Sequence, residues 1–124
     1  MIRVYIAGSL TGSTLDYLEN CRKMMKFGYE LFRSGTYSPF VPAFDYHFAL
    51  MKRDNEMPIT TKEYYDYSMA WLEVSDVVFV LPNSENSVGT QKEVERANEL
   101  GIPVVFDMAQ LEEVRKRMMG EFNG

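Results

Sequence analysis

The 124-residue sequence predicts an α/β fold, a parallel sheet with helices on both faces, and three observations carry that prediction. The run DVVFVLP (76–82) is continuously apolar rather than alternating, the pattern of a strand buried on both faces. Apolar runs of strand length alternate along the chain with segments of helical periodicity, which implies parallel strands joined by right-handed crossovers. The run TYSPFVPAF (36–44) contains Pro39 and Pro42, and a residue that cannot donate to a ladder belongs on an edge strand.

Each element follows in order. IRVYIA (2–7) is a β-branched and apolar run ending at Gly8, the first strand, and GSLTGS (8–13) is a turn-rich loop. Leu15, Leu18, Cys21, Met24, Met25, Tyr29 and Leu31 give an apolar stripe for a helix over about 14–32, with Gly35 as its stop. The proline-bearing second strand follows, and 45–58 reads as irregular. Thr60 or Thr61 caps a helix to about residue 74, with Glu63 in its first turn. The DVVFVLP strand leads into a helix over about 90–100 that stops at Gly101. IPVVF (102–106) is a buried strand, and MAQLEEVRKRMMGEF closes the chain as an amphipathic helix with Leu111, Val114 and Met118 on one face.

This pattern predicts one domain over 1–124, a flavodoxin-like or Rossmann-like three-layer sandwich with four to five parallel strands. With the second strand at an edge, the expected order is 2-1-3-4. Ligands in such sheets bind at the carboxyl ends of the strands where the order reverses, between strands one and three. The loops meeting there are GSLTGS and PNSENSVGT, and Glu93 follows the second of them.

Bulk composition narrows the partners. A net charge of −5 argues against nucleic acid or an anionic membrane, both of which call for a basic face. The single Cys21 cannot form an internal disulfide, and the lone His47 makes a histidine metal site improbable. MIRVYIAG lacks the features of a signal peptide, and no apolar run approaches a membrane span. A soluble cytoplasmic protein is the expectation.

Glu93 has two readings on its own residues. With Thr90 as N-cap it would sit at the third helical position, completing a T-x-x-E capping box. Yet Asn86, Ser87, Val88 and Gly89 ahead of it form a small, donor-rich turn, and a helix N-terminus behind such a turn is a ready anion site. Gly8 and Ser9 form either a plain strand-to-helix turn or a place where a ligand approaches the backbone. Tyr5 is core or a hydroxyl reaching the pocket, Asp66 a solvated helix residue or an auxiliary group. Asp76, at the opposite edge of the sheet, is structural. FDYHF (44–48) follows the edge strand and could close the pocket, with His47 as a wall residue.

YIAGSLTG together with MAWLEVSDVVFVLPNSENSVGTQKEVERANELGIPVV resembles the nucleoside 2-deoxyribosyltransferase superfamily, which includes the 2′-deoxynucleoside 5′-phosphate N-hydrolases. The likeness is specific over 2–9 and 69–105. That family's loop reads Asp/Ser-x-Gly-x-Gly-x-Glu, and Ser87, Gly89 and Glu93 fall in register with it. The resemblance implies that Glu93 attacks C1′ of a 2-deoxyribosyl group and displaces the base through a covalent glycosyl intermediate. It implies Tyr5 and Asp66 as auxiliary catalytic groups, and Gly8, Ser9, Ser68, Ser87 and Gly89 as substrate contacts. No metal or organic cofactor is implied. Ser87, where the transferases have an acid, tilts the substrate from nucleoside toward nucleoside monophosphate. Two positions depart from the pattern. Gln91 replaces the second glycine, and Ser68 replaces an acid associated with the leaving base, so a nucleotide-binding or sensing module that has lost turnover is the alternative. The resemblance also implies a homodimer or larger homo-oligomer.

Overall fold

The computed structural model describes residues 1–10 and 14–120. The expected turn at 11–13 and the end of the closing helix beyond 120 lie outside the described residues. Four strands, β1 (Ile2–Ala7), β2 (Tyr37–Phe40), β3 (Val77–Val80) and β4 (Val104–Val105), form one sheet in the order β2-β1-β3-β4, with every pair parallel. This is the flavodoxin-like order expected from the prolines.

Alternation along β1 divides the core in two. Ile2, Val4 and Ile6 face helix α1 (Thr14–Ser34) and helix α5 (Met108–Met118), where Cys21, Met24, Leu31, Leu111 and Val114 are buried with them. Tyr5 and Ala7 face α3 (Thr61–Leu72) and α4 (Val88–Glu99), packing with Leu72, Val78, Val80 and Ala97. Both faces of β3 are therefore dry, which is why its apolar run is unbroken, and β1 is dry as well except at the exposed Arg3.

Helix α1 buries part of the expected stripe, with Met25 half-buried beside it. Its buried stripe runs through Cys21, Met24 and Leu31, with Gly28 set against Val41 so closely that a Cβ there would collide with it. Leu15, Leu18 and Tyr29 are exposed instead. Gly35 ends the helix at φ +75°, a conformation that favours glycine. On α5, Leu111 and Val114 are buried and Met118 is exposed.

The segment expected to be irregular contains structure. Pro42–Asp45 forms a 3-10 turn that runs into the short helix α2 (Tyr46–Met51), none of whose residues is buried. At the amino edge of the sheet, the Asp76 carboxylate accepts from the Arg3 amide at 2.8 Å, and the Asp76 amide donates to the Arg3 carbonyl at 2.9 Å. Asp76 thus closes the β1–β3 ladder, far from the carboxyl ends. No helix among the described residues is long and apolar enough to cross a membrane.

Candidate active site

Two loops meet at the carboxyl edge where the strand order reverses, and they are tied together. The Leu81 amide donates to the Ala7 carbonyl at 2.8 Å, continuing the ladder past the end of β3. One step further, the Ser9 amide donates to Oγ of the buried Ser84 at 3.1 Å. Asn83, at φ 62°, makes the turn between them, a conformation that asparagine tolerates better than most residues.

After this turn the chain enters α4. Its N-cap is Ser87, whose hydroxyl accepts from the Thr90 amide at 3.3 Å. The T-x-x-E capping box read from Thr90 and Glu93 therefore does not form. The helix begins three residues earlier than that reading required, Thr90 already lies inside it, and Glu93 falls beyond the first turn. Spacing alone could not choose between the two hydroxyls. The same motif at Thr60 and Glu63 does make a box, with both reciprocal hydrogen bonds, at the start of α3.

Released from capping, the Glu93 side chain lines a cavity of about 400 Å³ that spans the ends of β1 and the first turns of the elements around it. Tyr5 comes from β1, Gly8 and Leu10 from the loop after it, and Tyr17 and Met24 from α1. Asp45 comes from the 3-10 turn, Tyr64, Tyr65 and Ser68 from α3, and Ser87, Gly89 and Glu93 from the start of α4. Tyr5 is fully buried and stacks on Phe40 at a centroid distance of 5.5 Å, and its hydroxyl lines the cavity with Glu93 and Ser68. Stacking fixes the ring, so the phenol stays beside the carboxylate it influences.

Electrostatics follow from this burial. Desolvation pushes Glu93 from its ordinary value of 4.5 up to about 7, and the hydrogen bond from Tyr5 partly offsets the rise. The N-terminus of α4 does not offset this rise, because the dipole fades beyond the first turn and desolvation prevails. Tyr5 is held far above its ordinary value by burial and by the neighbouring Glu93 charge, so it remains a neutral donor. Burial also pushes Asp45 from 3.8 up to about 6.

Of the residues singled out from sequence, Tyr5, Gly8, Ser68, Ser87, Gly89 and Glu93 come together in this cavity. Ser9 lies at its rim, with its amide engaged by Ser84. Asp66 does not join them. Its carboxylate is exposed and ion-paired with Lys62 one turn back on α3, because two helical positions from Ser68 turn it away. Asp45 is the residue that sequence reasoning missed, although the FDYHF segment containing it was expected near the pocket. His47 hydrogen-bonds the Phe44 carbonyl at 3.0 Å and stays exposed. Gln91, at the position of the resembled family's second glycine, donates its side-chain amide to the Glu85 carbonyl at 2.8 Å, fastening the loop after β3.

A second cavity of about 570 Å³ lies between the end of β3, α4 and Phe106. It is larger but mostly apolar, and Glu85 is the one ionisable side chain in its lining. Chemistry is better served by the smaller cavity, where two carboxyl groups with raised pKa values share one enclosure.

The fold and this site define the class to which the chain is similar. It superposes on a solved 2-deoxyribosyltransferase from the psychrotolerant bacterium Bacillus psychrosaccharolyticus with a TM-score of 0.55 and 16% identity, over 82% of this chain and 69% of that one. A family model described as a domain of unknown function (DUF4406) matches residues 2–106, and the chain belongs to that family. No curated protein matches it significantly.

Proposed function

We propose that the protein cleaves the N-glycosidic bond of a 2′-deoxynucleoside or deoxynucleotide, by hydrolysis or by transfer of the 2-deoxyribosyl group, with Glu93 as nucleophile. The observation that carries this reading is the Glu93 carboxylate beside the buried Tyr5 phenol in a cavity at the reversal point of the strand order. The fold shared with a 2-deoxyribosyltransferase supports it. Glu93 would form a bond to C1′ as the base departs, and water or a second base would then release the sugar. Ser87 and Gly89, at the start of α4, would meet the 5′ end of the substrate. Two carboxyl groups and no Lys or Arg line the cavity among the described residues, which favours an uncharged nucleoside over its monophosphate.

The test is incubation with a panel of deoxynucleosides and their monophosphates, following free base by chromatography, repeated with Glu93→Gln. Release that disappears in the variant while the fold is retained supports the nucleophile; release that survives removes it. A second reading, a binding or sensing module without turnover, is favoured by Ser68 standing where an acid is expected and by the outward Asp66. Tight nucleoside binding by calorimetry with no base release would establish it. We also infer a homo-oligomer, supported by the exposed Leu15, Leu18, Tyr29 and Phe32 on α1 and by Trp71 on α3. Light scattering decides that point, and a monomeric mass at working concentration would refute it.

A further inference from the structure

We propose that Asp45, rather than a residue of α3, is the acid that protonates the departing base; this rests on the reading of Glu93 as nucleophile. The first ground is what Asp45 does not do. It closes the 3-10 turn and runs into α2 with helical backbone angles (φ −65°, ψ −17°), so its side chain is free of capping and makes no cap hydrogen bond. Nor does any Lys or Arg among the described residues pair with it. The carboxyl group lines the cavity that holds Glu93 and Tyr5. An acidic side chain withdrawn from both of its ordinary structural partners and turned to an enclosed cavity lacks a structural reason to be there.

The second ground is a vacancy in chemistry. A purine or pyrimidine leaves poorly as an anion, so cleavage needs a proton at the base. On α3 the cavity is faced by the hydroxyls of Ser68, Tyr64 and Tyr65, all too weakly acidic and the two phenols raised further, while Asp66 points to solvent. Asp45 is the one carboxyl group besides Glu93 in the lining. Tyr5 of β1, Tyr17 of α1 and Tyr64 of α3 line the same cavity, and all are neutral at physiological pH. Burial raises Asp45 to about 6 and Glu93 to about 7, so the competent pairing, Asp45 protonated and Glu93 ionised, is the less populated of the two single-proton forms and turns over from that fraction.

The step balances. A Glu93 oxygen bonds to C1′ as the C1′–N bond breaks, its electron pair staying on the base nitrogen. The Asp45 proton passes to the base, which leaves neutral, and Asp45 becomes a carboxylate. In the second half, water or an incoming base adds to C1′, Glu93 departs with its pair, and the proton released by the newcomer returns to Asp45.

The test compares 2′-deoxyguanosine with its N7-methylated form, whose ring already carries a positive charge and leaves neutral without protonation. Asp45→Asn should slow release from deoxyguanosine by about 10²–10⁴-fold while changing release from the methylated substrate by less than about tenfold, with Asp45→Glu restoring part of the loss. In the wild-type protein, the fall in rate on the alkaline side should appear with deoxyguanosine and be absent with the methylated substrate, a readout that needs no variant. Equal slowing of both substrates, or of neither, overturns the role of Asp45 while leaving Glu93 as nucleophile. An alkaline fall shared by both substrates overturns it as well. No release from either substrate by the wild-type protein removes both readings together. Cleavage that persists in Glu93→Gln removes the nucleophile reading and the acid role that rests on it.

Discussion

The phenol of Tyr5 on β1 and the carboxylate of Glu93 on α4 line one cavity, where the phenol offsets part of the rise that burial imposes on Glu93. They come from opposite ends of the sequence and meet only because β1 and β3 are neighbours in the sheet and α4 springs from the end of β3. Ser68 shares that lining, so β1, α3 and α4 converge on the Tyr5 hydroxyl.

Removing that hydroxyl should move the ionisation of Glu93. The hydrogen bond lowers the Glu93 pKa relative to what burial alone would impose, so Tyr5→Phe should raise it above about 7. If Glu93 must be ionised to attack, the rate in the mildly acidic range falls in proportion to the loss of its ionised form. A titration of the Glu93 carboxyl by NMR, alongside the pH dependence of base release, checks both statements. An unmoved pKa would mean that the phenol does not hold the carboxylate.

Ser84 offers a stability test away from the proposed chemistry. Its hydroxyl accepts from the Ser9 amide in a nearly water-free position. Ser84→Ala should cost about 1–3 kcal/mol, because the amide loses this partner and water cannot readily replace it. The loops after β1 and β3 should loosen together, which hydrogen exchange at residues 8–10 and 81–84 would register. A loss confined to one of the two loops would contradict the tie.

Much of this was legible from residue types whose effects are local. Pro39 located the edge strand, Gly35 and Gly101 stopped their helices at φ +75° and +71°, and Thr60, one of two candidate caps, caps its helix in a box with Glu63. Thr90 and Glu93 repeat the same spacing without making a box. The difference lies in Ser87, an equally good cap three residues upstream, and only packing against the sheet selects between them. The gathering of Tyr5, Ser87 and Glu93 followed from topology and from the resemblance. Asp45 escaped notice because its exposure to the cavity depends on a 3-10 turn packed beside α1 and α3. An aspartate heading a short helix ordinarily announces a cap instead. On α1 the expected stripe held at Cys21, Met24 and Leu31 and failed at Leu15, Leu18 and Tyr29, which are as apolar as the residues that are buried.

Gly89 tests whether the mouth of the cavity admits the substrate. A Cβ built there meets nothing nearer than Ser87 Oγ at 3.9 Å. Gly89→Ala should therefore fold normally and gain up to about 1 kcal/mol, as expected for replacing glycine within a helix. Gly89→Leu should also fold, but its side chain would enter the cavity beside Ser87 and lower nucleoside affinity by about tenfold or more. Melting and calorimetry separate the two effects. Undiminished affinity in the leucine variant would put the substrate elsewhere.

Glu93 should oppose stability at neutral pH, and the sign follows from its raised pKa. The folded protein binds this proton more tightly than the unfolded chain, with about 7 against an ordinary 4.5. Below about pH 4.5 both states are protonated and burial of the side chain carries no charge penalty. As pH rises through about 7, the folded state must hold a carboxylate in a poorly solvated cavity, and stability is lost. At about 1.4 kcal/mol per pKa unit, less some screening through the cavity mouth, the loss approaches roughly 2–3 kcal/mol. Glu93→Gln removes the charge while keeping the shape, so it should match the wild type near pH 4.5 and exceed it increasingly up to about pH 8. Asp45 titrates in both proteins and cancels in the comparison, apart from its coupling to the Glu93 charge. Chemical denaturation at several pH values checks the trend. A variant that is less stable than wild type at pH 8 would mean that the carboxylate is held there by favourable contacts, as a structural residue would be, and not stored at a cost for reaction.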